Sequence, residues 1–129
     1  MNELLAPVSP GELIDKLTIL EIKSQRITDA TKLANVRREL DVLTQCWARS
    51  PWGSADIGRD KADLLAVNER LWDIEDRIRD KERAKTFDAG FIELARAVYI
   101  ENDQRAAIKK RINTALGSAI VEEKSYAAY

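Results

Sequence analysis

Between Leu13 and Leu116 the apolar residues recur at intervals of three and four positions. That spacing follows the 3.6-residue turn of an α-helix and not the two-residue alternation of a half-buried strand. The chain is therefore expected to be all-α, and the breaks in the pattern divide it into four segments. Ser9-Pro10-Gly11-Glu12 has the composition of a helix start, with Ser9 as N-cap, Pro10 at the first helical position and Glu12 closing a capping box. Asp29-Ala30-Thr31 makes a short turn, Ser50-Pro51-Trp52-Gly53-Ser54 breaks the chain again, and Gly117 fits the residue after a helix end.

These signals predict helices over residues 10–28, 31–48, 60–85 and 87–116. At 1.5 Å per residue the last two each span roughly 40 Å, against roughly 27 Å for either of the first two. Short connections make consecutive helices antiparallel. The expected architecture is an antiparallel four-helix bundle-like domain with a long third/fourth hairpin and a short C-terminal tail, about residues 118–129. At 129 residues the chain is one domain. The first segment is apolar on more than one face, which predicts that it is the most buried helix. The second has one clean stripe, Leu33, Val36, Leu40, Leu43 and Trp47, opposite Arg38, Asp41 and Gln45.

Composition removes several classes of function. With 21 basic and 22 acidic residues the net charge is −1, so no long-range field favours nucleic acid or an anionic membrane. The absence of histidine excludes the usual zinc sites, histidine bases and Ser-His-Asp triads, and no spacing of carboxylates suggests a metal. No cofactor is expected. No apolar run reaches membrane-spanning length, and the N-terminus lacks the basic and apolar regions of a signal peptide, so a cytoplasmic location is expected. The single cysteine, Cys46, permits no disulfide within the chain and, near the apolar stripe of the second segment, is expected to be inert.

What stands out is polarity inside the apolar stripes. Asn102, Arg105 and Lys109 fall within roughly 50° of the line through Val98 and Leu116 at about 100° per residue. Asn68 and Glu75 interrupt the face marked by Leu64, Leu71 and Ile78. A buried charge costs several kcal/mol unless it is paired or liganded. Counting outward from the turn near Thr86 brings Glu75 within a turn or two of Asn102 and Arg105. One reading is a closed Glu75–Arg105 ion pair, with the asparagines completing its hydrogen bonds. The other is a pocket in which Arg105 and Lys109 meet a phosphate or carboxylate. Glu21 flanks the Leu17 line and is a further candidate to face this site, whereas Asp15, Lys16 and Lys23 read as solvated partners on the helix surface. Trp52 either plugs an open end of the core or offers an exposed indole to a sugar or a protein. The tail is either frayed or folded back through Ile120 and Val121, delivering Lys124 and Tyr126 to the site.

Four stretches, SPGELIDKLTILEIK, VNERLWDIEDRIR, FIELARAVYIENDQRAAIKKRIN and EEKSY, together resemble a family of short bacterial helical proteins of unknown function. The resemblance spans the chain apart from residues 37–59. It implies an association with glycosyltransferases of surface polysaccharide, and it draws attention to Asn102, Asp103, Arg105, Lys124 and Tyr126.

Two functions follow as expectations. One is a non-catalytic binding or accessory protein, dimeric through its long hairpin, that serves polysaccharide synthesis with a glycosyltransferase or another protein partner. The other is a small helical enzyme acting on an anionic metabolite, with charge placement supplying the chemistry. The candidate ligand-binding residues for either are Glu21, Asn68, Glu75, Asn102, Arg105, Lys109, Lys124 and Tyr126.

Overall fold

The computed structural model describes residues 2–129. Its helices are α1 (Pro10–Arg26), α2 (Ala30–Arg49), α3 (Gly58–Arg83) and α4 (Ala89–Ala115), each within two residues of the expected bounds. Ser9, Asp29 and Asp88 cap α1, α2 and α4 by accepting a backbone N–H three residues on. One half of the expected capping box at α1 is present, since Ser9 Oγ accepts from the Glu12 N–H at 3.1 Å. The Glu12 carboxylate turns the other way, to Lys109.

Both long helices end in the same way. The N–H of Thr86 reaches the carbonyl of Lys81, and the N–H of Ser118 reaches that of Asn113. Lys85 and Gly117 supply the left-handed residue that this closure needs, at φ 53° and 66°. The α3/α4 hairpin is then laced by Lys81–Asp88, Arg70–Glu101 and Arg111 with Asp60 and Asp63.

Helix α1 lies across this hairpin, antiparallel to α4. Leu13, Ile14 and Leu17 pack with Leu64, Val67 and Leu71 of α3 and with Ile108 and Ile112 of α4. Helix α2 touches α1 and neither of the other two. Its stripe of Leu33, Val36, Leu40, Leu43 and Trp47 is half-buried along its whole length, and no α2 residue is fully buried. The core is therefore formed by three helices, with the fourth laid on the outside of α1. Trp52 is half-buried at the end of the bundle where α4 stops, and its Nε1 donates to the Leu116 carbonyl at 3.0 Å. The sequence-based option of an exposed indole is thereby corrected.

One glycine sets the distance between α1 and α4. A Cβ at Gly11 would lie 2.5 Å from the Lys109 carbonyl oxygen and 2.8 Å from Asn113 Oδ1. The vacant space lets the Gly11 N–H donate to Asn113 Oδ1 at 2.7 Å, a bond buried between the helices. Gly11→Ala must push α1 away from α4 and break this bond. The expected cost is about 1–3 kcal/mol in chemical denaturation. A neutral substitution would mean that α1 does not approach α4 this closely.

Candidate functional site

The polar stripe of α4 meets α1. Asp15 is 1% exposed and takes Arg105 side-on: Nε lies 3.0 and 3.1 Å from its two oxygens, and Nη2 lies 2.5 Å from Oδ2. The same carboxylate accepts from Asn68 Nδ2 at 2.9 Å, and that amide also reaches Thr18 Oγ1. Thr18 donates in turn to the Asp15 carbonyl. Among the described residues no buried side-chain nitrogen or oxygen is left without a partner. The hydrogen bond to Asp15 holds the Arg105 guanidinium above its ordinary pKa, against the effect of burial. The interior polar cluster is thus a closed network, built around a carboxylate that the sequence reading assigned to solvent.

That reading is corrected at three residues. Arg105 pairs with Asp15 and not with Glu75 or Glu21. Glu75 is instead a half-exposed partner of Arg79 one turn along α3. Helix α1 ends with Arg26 bonded to Asp73, so the flank of α3 that carries Glu75 has no helix opposite it. Glu21 turns outward to Lys61 at 3.0 Å. Asn68 does complete the hydrogen bonds of the buried pair, but for Asp15. A usable signal existed in the sequence: Asp15 has no basic residue three or four positions away, so it lacks the local partner of a solvated helix charge. Gly11, Asp15 and Thr18 also form a run of short side chains on one face of an otherwise bulky helix, the mark of a close helix contact.

The remaining candidates come together on the surface. Asn102, Arg105, Lys109, Lys124 and Tyr126 line one groove of about 510 Å³ between α4 and the tail, with Val98, Tyr99, Asp103 and Ala106. Residues 118–129 fold back along α4, as one of the two sequence readings had it, but not by the expected anchors. Ile120 and Val121 are exposed, and polar contacts hold the tail. Glu122 accepts from Ser9 Oγ at 2.8 Å and pairs with Lys109 at 2.9 Å. Lys110 holds Glu123, Lys124 reaches the Asp103 carboxylate at 3.3 Å, and Tyr129 donates to Asp103 at 2.7 Å. Tyr129 also packs edge-on against Tyr99.

Lys109 is the junction of the groove and the network. Its ammonium lies 2.5 Å from Glu12 and 2.9 Å from Glu122. Burial opposes its charge, yet the two carboxylates outweigh burial and raise its pKa. Glu122 mirrors this: burial would raise its pKa, but hydrogen bonds from Lys109 and Ser9 bring it below the ordinary value. Farther along, the hydrogen bond from Tyr129 lowers the Asp103 pKa and raises that of the phenol. Arg105 is 31% exposed at its side chain, and its Nη1 makes no hydrogen bond among the described residues. The guanidinium is therefore held from behind, with one donor edge left for the groove. No group of three metal-ligand side chains converges among the described residues. The sequence reading missed Asp15, Thr18, Asn113 and Glu122 as members of this cluster and had Ser9 and Glu12 only as helix caps.

Removing the two halves of the buried pair should have unequal effects. Arg105→Ala strands the Asp15 carboxylate in the core and is expected to cost about 3–5 kcal/mol. Asp15→Ala leaves a guanidinium that can turn to water and strands chiefly Asn68, for about 1–3 kcal/mol. Urea denaturation of the two variants tests the order. Equal losses, or a larger loss for Asp15→Ala, would contradict this geometry.

No curated protein and no solved structure matches this chain. Residues 5–129 match a family model described as a family of unknown function, DUF6165. The match takes in α1, the polar stripe of α4 and the tail that closes over it, and the chain belongs to the DUF6165 family.

Proposed function

We propose that this chain is a non-catalytic binding or accessory protein whose receiving surface is the groove between α4 and the tail, and that its ligand is a small anion-bearing molecule. One observation carries the reading. Five residues from separate parts of the sequence, Asn102, Arg105, Lys109, Lys124 and Tyr126, line a single groove. They bring three cations, amide and phenol groups and, with Tyr99, two aromatic faces. Cations and hydrogen-bond donors of this kind suit a phosphate or carboxylate, and a tyrosine ring suits an attached sugar or base. Family resemblance makes a sugar nucleotide the first ligand to try and a surface-polysaccharide glycosyltransferase the first protein partner, in a bacterial cytoplasm. An enzyme acting on the same ligand class calls for an open interior with unpaired Arg105 and Lys109. Their pairing with Asp15 and Glu12 favours binding over catalysis.

A thermal-shift screen against sugar nucleotides, inorganic phosphates and dicarboxylates provides the test. A ligand selective for the folded state stabilises it by RT ln(1 + [L]/Kd), about 2.7 kcal/mol at a hundred times Kd. At least one class is expected to raise Tm, and Lys124→Ala and Tyr126→Ala should reduce the rise. A flat response across all classes at millimolar concentration would overturn the proposal.

We further propose that two copies associate through the loop end of the α3/α4 hairpin. Phe87 and Ile92 are 55% and 58% exposed there, and Phe87 packs edge-on against Phe91. A second copy would bury this apolar surface, as in most homo-oligomers. Light scattering at micromolar concentration should give a dimer mass, reduced to the monomer by Phe87→Glu. A monomer mass for the unmodified chain would refute this.

A further inference from the structure

The charges around Lys109 do not balance, and the surplus belongs to the tail. Asp15, Glu12 and Glu122 bring three carboxylates to Arg105 and Lys109, which bring two cations. Asp15 is buried beneath Arg105, and Glu12 is carried by the first turn of α1. Glu122 is different: it lies beyond the last helix, in a segment with no regular structure. Its neighbours Ile120 and Val121 are exposed and give it no apolar anchor.

The place that Glu122 occupies is nevertheless well formed. Ser9 is 1% exposed, and its hydroxyl is held at the start of α1, where its oxygen accepts from the Glu12 N–H and its proton goes to Glu122. The Lys109 ammonium, 14% exposed at its side chain, approaches the other carboxylate oxygen. A neutral donor and a cation thus grip the two oxygens of one carboxylate, at the edge of the groove that Lys109 also lines. Such charge-assisted bonds are the recurring way in which proteins hold carboxylate and phosphate groups.

We infer that Ser9 Oγ and Lys109 Nζ form an oxyanion seat that the chain keeps filled with its own Glu122, so that a phosphate- or carboxylate-bearing ligand enters by displacing the Glu122 carboxylate while Lys124 and Tyr126 stay in the wall of the groove. The inference rests on the groove being the ligand surface proposed above. It adds where the anionic group sits and what must leave first. Electrostatics do not oppose the exchange, because one oxyanion replaces another and the local charge is preserved. Entropy resists it. A tethered carboxylate competes at an effective concentration in the millimolar range, so weak ligands are held off and ligands with further contacts in the groove are selected.

The full-length chain and two point variants test this. Glu122→Ala empties the seat, whereas Glu123→Ala removes the same charge one residue away, at the outward pair with Lys110. Inorganic phosphate and malonate serve as probes, titrated by calorimetry at fixed ionic strength, and comparing them distinguishes phosphate from carboxylate preference. Glu122→Ala should tighten binding of at least one probe by about tenfold, equivalent to about 1.4 kcal/mol. Glu123→Ala should stay within about twofold of the unmodified chain. Saturating the unmodified chain should lower the ¹⁵N heteronuclear NOE of residues 119–122, because a segment freed from the seat moves on the picosecond–nanosecond scale, while residues 124–129 stay held by Asp103 and Tyr99. Binding that Glu122→Ala leaves unchanged, that Glu123→Ala tightens equally, or that leaves residues 119–122 as ordered as before would overturn the seat and leave the groove proposal standing. No binding of either probe to the unmodified chain or to Glu122→Ala would overturn the seat. If the metabolite screen were flat as well, the proposed function would fall with it.

Discussion

Burying Asp15 under Arg105 places α1 on the α3/α4 hairpin. A buried ion pair adds little net stability over an apolar pair of the same volume, because desolvation offsets most of the attraction. Its influence lies in what it forbids. A sliding shift of α1 by one residue parts the buried carboxylate from the guanidinium that answers it. Apolar contacts between Leu13, Leu17, Leu64 and Ile112 tolerate such shifts far better. Asn68 and Thr18 complete the shell from α3 and α1, so the network ties three helices at one depth.

Several features of the molecule follow from that register. With Asp15 opposite Arg105, Gly11 comes opposite Asn113 and Glu12 opposite Lys109. The start of α1 is then close enough to α4 for Ser9 and Lys109 to share one carboxylate of the tail. The groove is a by-product of the same geometry: one side of the α4 polar stripe is consumed by α1, and the other remains for the tail and for solvent. Arg105 belongs to both sides, since Nε and Nη2 face Asp15 while the other edge faces outward. A cation fixed in this manner is pre-organised for an anion, because its rotamer is already set before anything binds.

Helix α2 lies outside the core that the other three helices form. Its apolar stripe is regular, yet it meets only the outer face of α1 and stays half-buried. Stacking α2 outside leaves α1 covered on both sides, which is why α1 is apolar on more than one face. It also leaves the hairpin without a helix across its loop end, where Phe87 and Ile92 remain exposed.

The sequence alone determined the local structure. Periodicity, the cap at Ser9, the turn at Asp29 and glycine after α4 act over a few residues, so the four helices and their ends were legible to within two positions. It also marked Asn68, Arg105 and Lys109 as polar residues on inward faces, because face is a local property set by the helical turn. Which carboxylate answers Arg105 was decided by tertiary structure. That choice depends on how far α1 reaches along the hairpin and on how closely it approaches, and both depend on a glycine and an asparagine about a hundred residues apart. Spacing along the hairpin pointed to Glu75, and Asp15 read as a solvated charge. Only the end of α1 at Arg26, short of Glu75, separates them. The tail was the least legible part, because its anchors are single side-chain contacts with no periodicity to announce them, most to α4 and one to Ser9 near the opposite end of the chain.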